Sequence, residues 1–335
     1  MNNKSTLFPI KLNGKYGYID NIGEIIIEPT FDYVEEFNGD YAIVSVGENY
    51  GFVNKEGKLV AEAIYEDVYD FSEGLAIVDL EDKKGYIDTK GNMVIKPQFD
   101  EAESFSEGLA AVRLGYKWGY IDKEGNFVME PQFLDASGFS EGLALIQLGG
   151  KLGYIDQKGA MIIEPKYDYA YGFSEGFATV LVGKKYGYIN KMGEMAIKPE
   201  YYSANDFSEG LAAVELNNKY GFIDNKGNMV IPNVYDWADN FYNGFAVAAK
   251  GDKYGFIDKE GKEFLPIKYD NVDTISEGLI SVEDNGKWGY INSSLEFVIE
   301  PIYDEVSKFV DGVAKVVFEG RIRYIDKNGK YIWKL

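Results

Sequence analysis

The 335-residue sequence contains no cysteine and no histidine, and these two absences exclude whole classes of function. Without cysteine there is no disulfide, no thiolate nucleophile and no cysteine-ligated zinc or iron–sulfur centre. Without histidine the chain lacks the usual general base near neutral pH, the Ser-His-Asp triad and histidine-ligated transition metals. We therefore expect no metal, no cofactor and no enzymatic activity.

The sequence also lacks a long apolar run and is short of positive charge. No segment approaches the roughly 20 consecutive apolar residues of a membrane helix, and the start of the chain has no signal-peptide core. We therefore expect a soluble, cytoplasmic protein with no membrane partner. The 34 Lys and Arg residues face 55 Asp and Glu residues, for a net charge of −21. Such a surface repels nucleic acid and attracts cationic partners.

One pattern is present ten times. A glycine recurs every 34 residues inside a version of Lys-aromatic-Gly-aromatic-Ile-Asp, at Gly17, Gly51, Gly85, Gly119, Gly153, Gly187, Gly221, Gly255 and Gly289, and the tenth copy carries Arg323. A period of about 20–50 residues indicates one supersecondary unit stacked on copies of itself. We predict a single repeat domain over residues 1–335, with an incomplete first unit at 1–30 and an atypical capping unit at 303–335.

Each unit is predicted to hold three or four short antiparallel strands. In the unit 99–132, short β-rich runs end at turn residues that include Gly108, Asp122 and Gly125, and no stretch has a helical period. Pro131 predicts the point where the fourth strand stops or lies at a sheet edge. The recurring glycine predicts that a neighbouring ring or backbone approaches closely.

The order of strands and turns suits two all-β architectures. We favour an open β superhelix, or solenoid, of ten units, because propellers typically have four to eight blades. The first unit also lacks its opening strand, so no spare strand completes a blade at the other end of the chain. The alternative is a closed, multi-bladed β-propeller.

The recurring Lys-Trp-Gly-Tyr-Ile-Asp, as in 117–122, followed by Gly, Val/Ile, Pro and Phe-Ser-Glu-Gly-Leu-Ala, resembles the bacterial WG-repeat (KWG-repeat) family. The match covers essentially the whole chain. The resemblance implies a β-rich repeat module of mostly unassigned function that mediates interactions, with no catalytic residues to transfer. The sequence departs from the pattern at Lys84, Leu152 and Ile322 in the Trp position and at Arg323 in the glycine position.

Equivalent positions in the ten copies form columns, and in two of these columns the residue type varies from copy to copy. The repeat itself therefore does not explain these two columns. Alternation along the first strand places both on the face opposite the small residue at Val34, and their aromatic and acidic members are typical of a protein-binding surface. From them we select, as candidate binding residues, Tyr33, Tyr69, Tyr169, Tyr171, Trp237, Glu101, Glu103 and Asp239.

The glutamates of the Ser-Glu-Gly turns form a separate column, at Glu73, Glu107, Glu141, Glu175, Glu209 and Glu277. They are either a line of carboxylates for cations or a set of solvated turns. The Asp of Ile-Asp-x-x-Gly lacks the carboxylate spacing of a calcium loop and is interpreted as a cap on its own turn.

Two classes of function remain open. The first is a non-enzymatic scaffold that presents an acidic surface with scattered aromatic residues to a protein partner, with a basic partner favoured by the charge. The second is a carbohydrate-binding, lectin-like module or a carboxylate-based glycan-processing enzyme. The absence of histidine favours the first.

Overall fold

The computed structural model describes residues 6–333, and within them every regular element is a β-strand. The first five sheets contain β1 (Phe8–Leu12), β2 (Lys15–Ile19), β3 (Ile25–Phe31); β4 (Tyr33–Val34), β5 (Tyr41–Val46), β6 (Asn49–Asn54), β7 (Leu59–Tyr65); β8 (Asp67–Val68), β9 (Leu75–Leu80), β10 (Lys83–Asp88), β11 (Met93–Phe99); β12 (Glu101–Ala102), β13 (Ala110–Leu114), β14 (Lys117–Ile121), β15 (Phe127–Phe133); and β16 (Asp135–Ala136), β17 (Leu143–Leu148), β18 (Lys151–Asp156), β19 (Met161–Tyr167).

The remaining five sheets have four strands each, and their first strand is two residues long except in β20, with five residues, and β32, with six. They contain β20 (Ala170–Ser174), β21 (Phe177–Val182), β22 (Lys185–Asn190), β23 (Met195–Tyr201); β24 (Ser203–Ala204), β25 (Leu211–Leu216), β26 (Lys219–Asp224), β27 (Met229–Tyr235); β28 (Trp237–Ala238), β29 (Phe245–Lys250), β30 (Lys253–Asp258), β31 (Glu263–Tyr269); β32 (Asn271–Ser276), β33 (Leu279–Asp284), β34 (Lys287–Asn292), β35 (Phe297–Tyr303); and β36 (Glu305–Val306), β37 (Val313–Phe318), β38 (Arg321–Asp326), β39 (Tyr331–Trp333).

Turn chemistry fixes each hairpin. The Oδ1 atom of Asp122 accepts hydrogen bonds from the backbone N–H of Glu124 (3.1 Å) and of Asn126 (2.8 Å), so the predicted Asx cap is confirmed. In the Ser-Glu-Gly turn, Glu107 and Gly108 both have positive φ, 54° and 85°. Two successive left-handed residues are the geometry of a tight hairpin turn, which explains the glycine.

The repeated glycine is required by the strand beside it. The third and fourth strands pair at Tyr120 with Met129 and again at Trp118 with Phe133, so the fourth strand bulges opposite Gly119. A Cβ atom on Gly119 would lie 2.5 Å from the carbonyl oxygen of Met129. The predicted close approach is therefore confirmed. Of the two predictions for Pro131, the edge position is confirmed, because β15 is the outer strand of its sheet. The strand does not stop there, because β15 continues through Pro131 in the bulge.

Neighbouring sheets are joined face to face by three recurring ties. The buried ring of Tyr120 packs against Phe139 of the next sheet with 5.0 Å between ring centroids, and its hydroxyl donates to the carbonyl of Ser137 at 2.8 Å. The hydroxyl of Ser106 donates to the carbonyl of Phe139 at 2.7 Å. The side chain of Glu73 accepts from the backbone N–H of Gly108 at 3.0 Å.

The chain forms two compact units. The first takes in the chain up to Asp20, then Glu24–Val182 and Ile189–Met195, and it contains the five complete sheets from β1 to β19. The second takes in Asn21–Gly23, Gly183–Tyr188 and the chain from Ala196 onward, and it contains the four complete sheets from β24 to β39. The single-domain prediction over 1–335 stays a prediction, and its residues 1–5 and 334–335 lie outside the described residues.

The preference for an open superhelix is wrong, and the alternative, a closed propeller, is supported. Within the second unit, the side-chain amide of Asn21 donates to the carbonyl of Asp311 at 3.4 Å, and a Cβ atom on Gly23 would meet the carbonyl of Ile332 at 2.4 Å. The same contact joins consecutive blades, since a Cβ atom on Gly91 would meet the carbonyl of Val60. If the ten 34-residue periods are numbered as a closed ring, Gly23 follows Ile332 by the same number of residues as Gly91 follows Val60. The molecule is thus a ten-bladed β-propeller.

The physical reason for this correction lies in how neighbouring blades adhere. The blades pack face to face through turns and side chains, so closure needs the same face contact once more and no shared strand. The first blade closes the propeller with only three strands, β1 to β3.

We predict that Gly119→Ala lowers the free energy of unfolding by roughly 1–3 kcal/mol, because the new methyl group overlaps the backbone of Met129 and Pro131. The matched control is Gly172→Ala, since nothing lies within 4 Å of the added Cβ atom there. Urea titration measures both variants. Equal stability of the two would contradict the close-approach explanation.

Candidate functional site

The two variable columns lie where alternation predicts. The first-strand row consists of Tyr33, Asp67, Glu101, Asp135, Tyr169, Ser203, Trp237, Asn271 and Glu305, and the second row lies two residues further on, from Glu35 and Tyr69 to Ser307. Residues between the rows, such as Val34 and Ala238, are buried. The large rings at Tyr33, Tyr69, Tyr169, Tyr171 and Trp237 are 40–62% exposed. Their role in binding stays a prediction.

Some members of the first-strand row pair with the ring at the Trp position of their own blade. Tyr33 and Tyr50 lie edge to face with 6.2 Å between ring centroids, and Trp237 and Tyr254 do the same at 6.2 Å. The register of the strands explains both pairs. Tyr33 and Tyr50 both face Ser45 on the strand between them, from opposite sides. Trp237 and Tyr254 both face Ala249 in the same way. Aromatic pairs of this kind contribute about 0.5–1.5 kcal/mol beyond the area they bury.

In one blade of the first unit, β8–β11, the residue at the Trp position is charged. Lys84 takes the Trp position of its blade, and only 12% of its side chain is exposed. Its Nζ atom lies 2.7 Å from Oδ2 of Asp79 and 4.9 Å from the ring centroid of Tyr69. Burial on its own would lower the pKa of Lys84, but its hydrogen bonds to Asp79 and Tyr69 outweigh burial and raise that pKa.

The same network reaches the next blade. Glu101 lies 3.2 Å from the Arg113 guanidinium and 3.9 Å from Nζ of Lys84, so two cations hold its carboxylate. Lys84 and Arg113 were missed as site residues. The departure of Lys84 from the Trp pattern was the signal in the sequence that pointed to this network.

Glu103, unlike Glu101, forms no ion pair with another described residue. Desolvation raises the pKa of its carboxyl, and repulsion from Asp135 and Glu101 raises it further. Its backbone carbonyl accepts the hydroxyl of the buried Tyr86 at 2.8 Å, which fixes the position of the strand. The structure therefore holds Glu103 where its negative charge is not fully compensated.

The Ser-Glu-Gly column is neither a free line of carboxylates nor a set of solvated turns. Glu73 also forms an ion pair with Lys123, 50 residues further on, at 3.1 Å, and the same spacing joins Glu209 to Lys259 at 3.0 Å. The ammonium of Lys123 lowers the pKa of Glu73, with the N–H of Gly108 acting in the same direction. These glutamates tie blades together, so both interpretations of the column are corrected.

Asp239 lies in the second unit, exposed, with its Oδ1 atom accepting the N–H of Asn240 at 2.7 Å. It lines a cavity of about 200 Å³ between the sheet β28–β31 and the sheet β32–β35, which the sequence did not indicate as a site. Within residues 6–333, no three Asp or Glu side chains converge in a way that fits a metal ion. The described residues also include no helix long and apolar enough to cross a membrane.

The repeat decides the family. The WG containing repeat matches the chain nine times in succession, over residues 16–50, 50–83, 85–118, 118–151, 153–186, 186–220, 220–254, 254–288 and 288–321. The chain belongs to the WG-repeat family. The family resemblance found in the sequence is therefore confirmed, and no curated protein matches the chain.

One solved structure shares the fold at very low identity, and two others are similar to the chain with lower TM-scores. A structure described as the eukaryotic initiation factor is 10% identical, with a TM-score of 0.59 over 88% of this chain and 95% of that chain. Dihydro-heme d1 dehydrogenase NirN in complex with DHE is 13% identical, with a TM-score of 0.41 over 88% and 72% of the two chains. Apo AztD from Citrobacter koseri is 12% identical, with a TM-score of 0.38 over 87% and 92%. For this WG-repeat protein, the repeat β-propeller fold suggests a binding scaffold.

We predict that Glu103→Gln stabilises the protein near pH 7 by about 0.5 kcal/mol or less, because it removes a charge that the fold holds beside other carboxylates. The raised pKa means that this penalty exists where Glu103 is ionised and disappears as pH falls below the ordinary glutamate value of 4.5. Thermal unfolding near pH 7 and near pH 4 measures the difference. Glu62→Gln, at an exposed site on β7, is the control, and a destabilised Glu103→Gln would contradict the account.

Proposed function

We propose that this WG-repeat protein is a non-enzymatic scaffold that binds a basic protein partner through the first-strand row and the second row. One observation carries the proposal: large aromatic rings are exposed at positions where the residue type varies between copies of the repeat. Tyr169 and Tyr171 are 62% and 48% exposed and flank the buried Ala170. Exposed Tyr and Trp are enriched at protein interfaces because they bury large area with few rotatable bonds.

Charge supports a basic partner. The net charge of −21 draws cations toward the protein over long range. Close to the surface, the uncompensated carboxyl of Glu103 and its neighbour Asp135 gain from a positive charge placed between them. Such an interface binds quickly at low salt and weakens as ionic strength rises.

The carboxylates of this surface suit binding better than catalysis. A catalytic acid with a raised pKa works in a site that excludes water. Glu103 instead is an exposed residue directly after β12, and Glu101 is held by two cations. These contacts support the non-enzymatic part of the proposal.

We predict that the double variant Tyr169→Ala/Tyr171→Ala binds basic peptides at least about tenfold more weakly while keeping the melting temperature of the wild type, because both rings are exposed. An array of peptides graded by charge measures this, with a glycan array run in parallel. Tyr116→Ala is the matched control, since Tyr116 is 90% exposed but lies in a hairpin turn outside the two rows.

Three outcomes are distinguishable. Salt-sensitive binding to basic peptides that depends on the two tyrosines supports the proposal. Binding to glycans alone would replace it with the carbohydrate-binding alternative. Unfolding of the double variant would show that the rings support the fold and would contradict their assignment to an exposed binding surface.

A further inference from the structure

The junction between blade 8 (β28–β31) and blade 9 (β32–β35), inside the second unit, departs from the repeat at four positions at once. Phe256 replaces the buried tyrosine, and Ile275 replaces the phenylalanine that packs on it. Tyr242 and Asn243 replace the serine and glutamate of the Ser-Glu-Gly turn. Each of these four positions supplies a tie between blades elsewhere in the structure.

The neighbouring junction shows what these changes remove. There Phe222 already lacks the tyrosine hydroxyl, but its ring packs on Phe241 at 4.9 Å. The hydroxyl of Ser208 donates to the carbonyl of Phe241 at 2.7 Å, and Glu209 accepts from Gly244 at 3.0 Å. The missing hydroxyl alone therefore leaves a packed junction. The change from phenylalanine to Ile275 removes the ring that would fill the space beside Phe256.

The space left at this junction is the cavity of about 200 Å³. Its apolar wall includes Phe245, Phe256 and Ile275. Its polar wall includes the carboxyl-bearing residues Asp239 and Asp273. The cavity thus combines aromatic faces with negative charge, which is the environment that favours an organic cation.

One residue of this wall, Asn240, also holds an unpaired buried atom. The Oδ1 atom of Asn240 is buried and has no hydrogen-bond partner among the described residues. A buried acceptor left unsatisfied costs about 1–3 kcal/mol, and native proteins rarely keep one without a reason.

We infer that this cavity binds an arginine side chain of a partner protein. The guanidinium is planar, carries five N–H donors and stacks on aromatic rings, so it suits a cavity lined by Phe245 and Phe256 and by the carboxylates of Asp239 and Asp273. Its weak hydration makes entry into a partly apolar cavity less costly than for a lysine ammonium. The partner as the source of the arginine rests on the proposed function.

The test titrates the full chain with N-acetyl-arginine amide, followed by the Ile275 methyl signal in NMR. N-acetyl-citrulline amide is the neutral control of nearly the same shape, and N-acetyl-lysine amide tests the preference for guanidinium. We expect millimolar binding of the arginine probe and at least about tenfold weaker binding of the other two, since a lost charge-assisted contact of about 1.4 kcal/mol changes affinity tenfold.

The decisive variant is Ile275→Phe, because it restores the residue that most other copies carry and fills the cavity. It should abolish arginine binding, detected by calorimetry, while the melting temperature stays the same or rises. Ile275→Leu conserves volume and should retain binding. Asp239→Asn and Asp273→Asn should each weaken binding without unfolding the protein.

The outcomes separate this inference from the proposed function. Equal binding of the arginine probe to wild type and Ile275→Phe, or equal binding of the citrulline probe, would overturn the inference. If basic peptides still require Tyr169 and Tyr171, the scaffold proposal survives that result. Arginine binding that is lost in Ile275→Phe supports the cavity even if the two tyrosines prove irrelevant to peptide binding.

Discussion

The contact between the buried aromatic ring on the third strand of one blade and the phenylalanine at the start of the next blade holds this structure together. Tyr120 on Phe139 and Tyr290 on Phe309 show the geometry, with 5.0 and 4.8 Å between ring centroids. Burial of each ring is worth roughly 1.5–3 kcal/mol, so these contacts outweigh the exposed ion pairs of about 0–1 kcal/mol around them. The strand bulge opposite Gly119 and the hydrogen bond from Ser106 to the carbonyl of Phe139 position the backbone on either side of this ring contact. A blade that loses the contact leaves a cavity.

The repeat therefore separates architecture from function. Where every copy makes the same tie, its residues explain the fold and carry no information about a ligand. The exceptions are the exposed rings of the first-strand row, the buried Lys84 network and the junction with Phe256 and Ile275. The exposed rings leave apolar surface in contact with water and the junction loses ties between blades, and proteins commonly accept such costs at binding sites.

Much of the fold could be predicted from the sequence, because turn chemistry and alternation are local. The Asx cap at Asp122, the close approach at Gly119 and the exposure of Tyr169 and Trp237 all follow from residue type and spacing. Closure of the propeller could not be predicted, because it depends on the angle between packed sheets and on a contact between Gly23 and Ile332 at opposite ends of the chain. The cavity had a signal, since Phe256 and Ile275 depart from their columns together. The sequence alone does not show that residues of these two columns pack against each other across a junction, as Phe222 and Phe241 do.

Closure is the most direct test of the claim that neighbouring blades adhere face to face and need no shared strand. Because the chain has no cysteine, Ile22→Cys and Asp311→Cys place spin labels at two unique, exposed sites beside the Asn21–Asp311 contact. Pulsed electron paramagnetic resonance should give one short, narrow distance distribution. An open array would separate the labels by nine sheet spacings of roughly 10 Å, on the order of 90 Å, and that result would contradict the account.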